Sequence, residues 1–354
     1  MSHEIETLPA RPAEAHALEV ARGLPGTRII CTTAGRGQAA RALAAERSPS
    51  SVTCWFLDLY QHGLAEAAWA EPPAGLAAAC TADMPAGPHD LAVVPLSKDG
   101  EAELSRDILQ QAMQNLAIGG HLVTAIDNPR DNWLREQLAD TGETVRVRPA
   151  AGPRADTVAY AVTKTREVAK IRDFSCELVF RDRDRLLTAV TRPGVFAHRR
   201  IDPGARHLLN AVDVAPDTRV LDIGCGSGCV ALGIAARDPS VHVHALDSSA
   251  RAVECTRRGA EINGLTNLTV ALEAGGHVPD PGTYDLVLAN PPYYADFRIA
   301  ELFVDAAWRA LAPGGTLLVV TKQPTWYVDR LPQAWLDVAR EEVKRYHLIE
   351  AVRP

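Results

Sequence analysis

The sequence predicts an α/β fold built twice, as two domains in tandem. Three observations carry that expectation. The chain repeats itself: "HDLAVVPLSKDGEAELSRDILQQAMQNLAIGGHLVTAID" (His89–Asp127) registers on "YDLVLANPPYYADFRIAELFVDAAWRALAPGGTLLVVTK" (Tyr284–Lys322) without a gap. Both segments read strand, turn, helix, Gly-Gly, strand, and Asp90–Gly119 spans the same distance as Asp285–Gly314. Upstream, "TRIICTTAGRGQAARAL" (Thr27–Leu43) lies on "TRVLDIGCGSGCVALGI" (Thr218–Ile234), a strand that runs through a glycine loop into a helix each time.

The length of 354 residues accommodates two domains, and 47% hydrophobic with 23% charged residues is ordinary globular composition. The apolar runs are of strand length, short of the about 18 residues a membrane span needs. "MSHEIETLPARPAEAH" has no apolar core, so no secretory signal is expected. Seven cysteines, with no C-x-x-C pair and with Cys225 and Cys229 lacking a matching second pair, point to reduced thiols in a cytoplasm and to no metal site. Net charge is −7, which speaks against a generic nucleic-acid binder. The charge is uneven, however: Lys164–Arg206 carries eleven Lys/Arg against six Asp/Glu. Such a basic collar can meet phosphates, or it can be a solvated linker.

The first repeat occupies residues 1–163, the basic linker and the loop leading out of it 164–205, and the second repeat 206–354. "VTCWFLDLY" matches "VHVHALDSS" after a two-residue slip. The halves differ where chemistry would stand. Cys31 replaces Asp222, Thr33 replaces Gly224, and Pro95-Leu96-Ser97-Lys98 replaces Asn290-Pro291-Pro292-Tyr293. Gly35 and Gly37 persist. The N-terminal copy therefore reads as a degenerate scaffold.

In the second half, Asp202-Pro203 is a helix start, with the acid as cap and proline in the first turn. The strand Val220–Ile223 leads into Gly224, Gly226 and Gly228, and a helix follows. Glycines there let backbone approach a ligand closely at a helix N-terminus. The pattern D-x-G-x-G-x-G departs from the G-x-G-x-x-G of dinucleotide sites. Its leading acid, Asp222, suits a positively charged ligand better than a pyrophosphate. "VHVHAL" ends in Asp247, placed to accept hydrogen bonds from ribose hydroxyls, with Ser248 after it. "LTVALEA" then puts Glu273 or Ala274 beside an adenine.

The fourth strand stops at Asn290-Pro291-Pro292-Tyr293, because two prolines cannot continue a ladder. An exocyclic amine conjugated to a ring or carbonyl is a poor nucleophile that needs aiming more than deprotonation. The Asn290 side-chain oxygen and the Pro291 carbonyl can accept its two N–H bonds, the prolines fix the geometry, and Tyr293 offers a stacking face. Downstream, Ile299, Leu302, Phe303, Ala306 and Ala310 form a helical stripe, so Phe303 and Trp308 read as packing. Pro313-Gly314-Gly315 turns that helix into the fifth strand. Trp326 and Tyr327 follow it and can edge the pocket. His242 and His244 read as strand residues rather than ligands.

The glycine loop with its leading acid, Asp247 one strand later and Asn-Pro-Pro-Tyr on the fourth strand resemble the class I S-adenosylmethionine-dependent methyltransferases. The turn itself resembles that of amino methyltransferases acting on adenine N6, guanine N2 or glutamine. "TRPGVFAHRRIDPGARHLLNAV" (Thr191–Val212) resembles the segment leading into the catalytic domain of the small-domain ribosomal RNA guanine-N2 enzymes. The resemblance implies two tandem Rossmann-like methyltransferase domains, each a seven-stranded mixed sheet flanked by helices, the first one degenerate. It implies S-adenosylmethionine as cofactor, S-adenosylhomocysteine as product, Ser248 among the cofactor contacts, and a Phe196 loop closing over the cofactor. It implies guanine N2 of ribosomal RNA as acceptor, with ribosomal RNA or a ribosomal subunit as partner and no membrane. Oligomeric state stays open. Tyr293 and Tyr294 stand where the family often has Phe and His, which leaves room for an adenine, a protein glutamine or a small molecule. Two other classes compete: a non-catalytic RNA-binding or ribosome-assembly scaffold, and a nucleotide-dependent oxidoreductase, which the glycine spacing disfavours.

Overall fold

The computed structural model describes residues 9–141, 143–150, 156–292 and 297–354. The chain divides into two compact units, one ending at Phe174 and the other beginning at Ser175.

The N-terminal unit runs α1 (Pro12–Arg22), β1 (Arg28–Cys31), α2 (Gln38–Glu46), β2 (Ser51–Phe56), α3 (Leu59–Trp69), β3 (Leu76–Cys80), β4 (His89–Leu96), α4 (Ala102–Asn115), β5 (Leu116–Ile126), α5 (Trp133–Ala139), β6 (Val145–Pro149) and β7 (Val158–Thr163). The C-terminal unit opens with an antiparallel hairpin, β8 (Cys176–Asp182) and β9 (Arg185–Thr191). It continues α6 (Pro203–Ala211), β10 (Arg219–Ile223), α7 (Cys229–Arg237), β11 (His242–Asp247), α8 (Ala250–Ile262), β12 (Leu268–Leu272), β13 (Tyr284–Ala289), α9 (Arg298–Ala310), β14 (Leu311–Thr321), α10 (Thr325–Arg330), β15 (Leu336–Val343) and β16 (Tyr346–Val352).

Each unit holds one seven-stranded sheet, ordered β3-β2-β1-β4-β5-β7-β6 and β12-β11-β10-β13-β14-β16-β15. The first five strands in each order are parallel, and the last two join antiparallel. The tandem Rossmann-like architecture is therefore present, and the two copies agree to single hydrogen bonds. Asp90 accepts from Arg28 N at 2.9 Å, and Asp285 from Arg219 N at 2.8 Å. Gly119 N donates to Lys164 O at 2.7 Å, and Gly314 N to Arg353 O at 2.8 Å.

Central strands are buried on both faces and read as unbroken apolar runs. Leu221 packs toward the α9 side with Val287 and Leu317, while Val220 packs toward α6 and α7 with Leu208 and Leu232. Burying each such side chain contributes about 2 kcal/mol.

Three expectations change in detail. Strand pairing sets Arg28 opposite Ser51 and Arg219 opposite His242, so β2 superposes on β11 without a slip. Phe56 therefore stands where the other copy has Asp247, and the Leu-Asp dipeptides that suggested the slip are not equivalent. On α9 Ala306 and Ala310 of the expected stripe are buried, joined by Ala300, Val304 and Ala307, while Ile299, Leu302 and Phe303 are half-buried on the flank. Small side chains let this helix lie close on the sheet, so its buried face follows them rather than the large ones. The hairpin β8–β9 occupies much of the stretch expected as linker, with Phe180, Leu187 and Ala189 in the core under α6 and α7.

Among the described residues, no helix is long and apolar enough to cross a membrane. All seven cysteines are free.

Candidate functional site

The C-terminal ends of β10, β11, β12 and β13 form one edge of the second sheet, where an open α/β sheet presents its ligand crevice. Ile223 pairs with Leu246 on one side and with Ala289 on the other, so the glycine loop, Asp247 and Asn290 leave the sheet as neighbours.

The loop is shaped by backbone only glycine adopts freely. Gly224, Gly226 and Gly228 have φ of 77°, 57° and 80°. Gly224 N and Cys225 N both donate to Leu246 O, at 2.8 and 3.0 Å. Gly226 N donates to the Asp247 carboxylate at 2.8 Å, and the buried Thr256 hydroxyl donates to Gly226 O at 3.2 Å. A Cβ on Gly228 would stand 2.8 Å from Thr256, whereas one on Gly226 would meet nothing within 4 Å. The loop is thus pinned from below and open above. A Cβ on Gly224 would stand 3.0 Å from the Phe303 ring, so Phe303 packs in the core and also walls the loop.

Asp222 is 3% exposed, and its Oδ2 has no hydrogen-bond partner. Burial, and then the charge of Asp247, push its carboxyl up to about 7. A buried acid with an orphaned oxygen at the mouth of a glycine loop is a place for a cationic donor. The ammonium of an S-adenosylmethionine amino-acid moiety has that chemistry, so the residues present fit the cofactor. Asp247 accepts from Gly226 N and Ser249 N at 2.8 Å each, at the sheet edge where ribose hydroxyls would meet its carboxylate. Ser248 lies between Asp247 and Ser249, the residue whose hydroxyl caps α8. Glu273 N donates to Asp247 O at 2.9 Å, while its carboxylate accepts from His277 N within its own loop. Ala274 follows, half-buried, at the same edge.

Asn290 extends β13 beside this pocket. Its amide nitrogen donates to Asp202 Oδ2 at 2.8 Å, and Pro291 behind it is buried. Tyr293 lies outside the described residues. Phe196 is 60% exposed in the turn between Arg192 and Arg200 and does not join the contacts that tie the loop, Asp247 and Asn290 together. Trp326 stacks on Phe297 with ring centroids 5.5 Å apart, and Tyr327 is buried beneath it. His244 bonds the Tyr284 hydroxyl inside the sheet, a structural role. Sequence reasoning missed Phe303 and Thr256 as walls of the loop and the second task of Asp202. The D-x-G of "IDPGA", set against Arg11-Pro12-Ala13 in the other copy, is the signal that could have found the last.

The equivalent loop of the N-terminal unit is filled from inside. Glu14, fully buried on α1, accepts from Thr33 Oγ1 at 2.9 Å, Ala34 N at 3.2 Å and Ala39 N at 2.9 Å. Trp69 donates to Arg36 O at 3.0 Å and covers Gly37. Burial raises the Glu14 carboxyl above the usual range, and those donors offset part of the rise.

A seven-stranded sheet with a pinned glycine loop, two acids and an amide turn along one edge defines a class. Residues 186–349, within the C-terminal unit, match the family described as "Methyltransferase small domain". Among curated relatives, the ribosomal RNA small subunit methyltransferase C of Chromohalobacter salexigens is 32% identical over 179 residues, covering 47% of this chain and 52% of that protein. Its namesake in Pseudomonas entomophila is 36% identical over 141 residues, 39% and 42% of the two chains. The chain thus aligns with about half the length of the curated relatives it matches. A solved T. thermophilus 16S rRNA N2 G1207 methyltransferase, RsmC, in complex with AdoMet and guanosine, has the same fold over nearly the whole chain. The TM-score is 0.80 with 21% identity, covering 97% of this chain and 92% of that one.

Proposed function

We propose that the chain transfers the methyl group of S-adenosylmethionine to the exocyclic N2 of a guanine in ribosomal RNA. The observation that carries this reading is Asn290. Its amide nitrogen is tied to Asp202, which leaves its oxygen as the acceptor at the sheet edge beside a glycine loop fitted for the methyl donor. Two of the curated relatives bear the name ribosomal RNA small subunit methyltransferase C, and the T. thermophilus structure holds guanosine, which favours guanine over adenine or glutamine.

On this reading the site residues divide the work. When bound, the cofactor supplies an electrophilic methyl carbon on a sulfonium. Asp222 accepts from its ammonium, Asp247 from its ribose hydroxyls, Gly224, Gly226 and Gly228 let it approach the backbone, and Glu273 or Ala274 borders the adenine. Ser248 belongs to the same rim, and Phe196 to a loop that closes over it. Asn290 Oδ1 and the Pro291 carbonyl take the two N–H bonds of the guanine amine and aim its lone pair at the methyl carbon. Pro292 stiffens the turn, and Tyr293 gives the base a face to stack on. The extra proton leaves the methylated amine for water. The degenerate N-terminal unit serves as scaffold and RNA holder, and the reading places the protein in the cytoplasm, where ribosomal RNA is found.

The test is methyl transfer from labelled S-adenosylmethionine to ribosomal RNA, followed by digestion to nucleosides. Label should co-migrate with N2-methylguanosine. Asn290→Ala should lower turnover by about 100-fold or more while S-adenosylhomocysteine binds within about twofold of wild type. Label in N6-methyladenosine or in protein would move the substrate, and loss of cofactor binding in the variant would remove the assigned role of Asn290.

A further inference from the structure

We infer that Asp202 is a positioning residue for Asn290: its carboxylate holds the amide so that Oδ1 faces the acceptor amine. The inference rests on the methyl-transfer reading of the same site.

A carboxylate only accepts hydrogen bonds, so the Asn290 group 2.8 Å from Asp202 Oδ2 is its NH2. That contact decides which end of the amide Asp202 binds and which end is left to accept from an amine. The opposite orientation would set two oxygens against each other and present N–H donors to an amine that is itself a donor. Asp202 is in turn held fast. It caps α6, accepting from Ala205 N at 3.1 Å, and α6 is anchored by Leu208 and Leu209 in the core. The amide of a turn on β13 is thereby referenced to a helix 88 residues away in sequence. A negative charge on the NH2 side also polarises the amide and strengthens its oxygen as an acceptor.

Gly204 completes the arrangement. A Cβ there would stand 2.7 Å from Asp202 Oδ2 and 3.0 Å from Asn290 Oδ1, so the pair needs this space empty. The other copy supplies an internal control. Helix α1 begins at Pro12 as α6 begins at Pro203, and Arg11, Ala13 and Pro95 replace Asp202, Gly204 and Asn290. Where the amide is gone, its holder is gone and the space beside it is filled.

The bland alternative is that Asp202 only caps its helix. Asp202→Ser separates the two, since serine caps equally well but is too short and uncharged to hold Asn290. The expected result is melting temperature and S-adenosylhomocysteine affinity near wild type, with kcat for ribosomal RNA methylation down by about 10- to 100-fold. The same change added to Asn290→Ala should cost nothing further. Asp202→Asn, which keeps an oxygen within reach of both donors, should recover kcat above the serine variant. Gly204→Ala should keep the fold, because alanine suits a helix, yet lose turnover as the carboxylate is displaced. Wild-type kcat in Asp202→Ser, or a loss that multiplies with that of Asn290→Ala, would overturn the inference. A readout independent of RNA is the Asn290 side-chain NH2 resonance pair, identified by its absence in Asn290→Ala. It should shift in Asp202→Ser. An unshifted pair overturns the inference, whereas wild-type protein that binds S-adenosylhomocysteine and shows the shift but methylates no RNA overturns the functional reading alone.

Discussion

At the scale of single residues, Asp222 is the most informative group. Its carboxyl is pushed up to about 7 by burial and by Asp247, well above its unfolded value. The folded protein therefore retains a proton that the unfolded chain releases, and stability contributed by the neutral acid is lost as pH rises toward 7. Asp222→Asn should raise the melting temperature of the ligand-free protein at pH 8, and the gain should shrink toward pH 5. Ligand binding runs the other way. Ionisation of Asp222 grows as pH rises through about 7, so S-adenosylhomocysteine should bind more tightly at pH 8 than at pH 6 by calorimetry, by up to roughly tenfold. Asp222→Asn should flatten that profile; a wild-type affinity indifferent to pH would mean the carboxylate does not meet the ammonium. Asp222, Asp247 and Asn290 were legible because each belongs to a short motif at a strand end, where local sequence fixes geometry. Phe303, Thr256 and the Asn290 contact of Asp202 were not, because they act on the site through contacts distant in the chain.

At the scale of elements, the joining segment holds more structure than its composition shows. Its arginines Arg181, Arg183 and Arg185 are exposed, as a solvated collar would have them, but Asp182 among them accepts from Arg237 on α7 through two bonds of 2.8 and 3.0 Å, and Arg237 also donates to Leu209 O at 2.6 Å. Both side chains of this pair are 6% exposed. The hairpin is therefore fastened to the helix that follows the glycine loop. Removing one member of a buried pair strands the other, at about 3–5 kcal/mol. Asp182→Ala should lower unfolding free energy by an amount of that order in urea titration, with methyl-donor affinity falling less steeply. A change below about 0.5 kcal/mol would show the pair to be dispensable. Strand order, by contrast, was implicit in the alternation of strands and helices. The slip at β2 arose because a shared Leu-Asp outweighed ladder register, which sequence matching does not see.

At the scale of the whole molecule, one fold is used in two ways. The C-terminal copy keeps Asp222, Gly224, Asp247 and Asn290 along one sheet edge. The N-terminal copy has Cys31, Thr33, Phe56 and Pro95 at those places, and Glu14 and Trp69 fill its loop. The duplication could be read from a gap-free repeat, but the filling could not, because Glu14 meets the loop only after α1 has folded onto it. We therefore expect the methyl donor to have a single seat, in the C-terminal unit. The most direct test is calorimetric titration of the full chain with S-adenosylhomocysteine. The predicted result is one equivalent bound, with affinity falling by about 10- to 100-fold in Asp247→Ala. Two equivalents, binding that survives Asp247→Ala unchanged, or folded protein that binds none would contradict it.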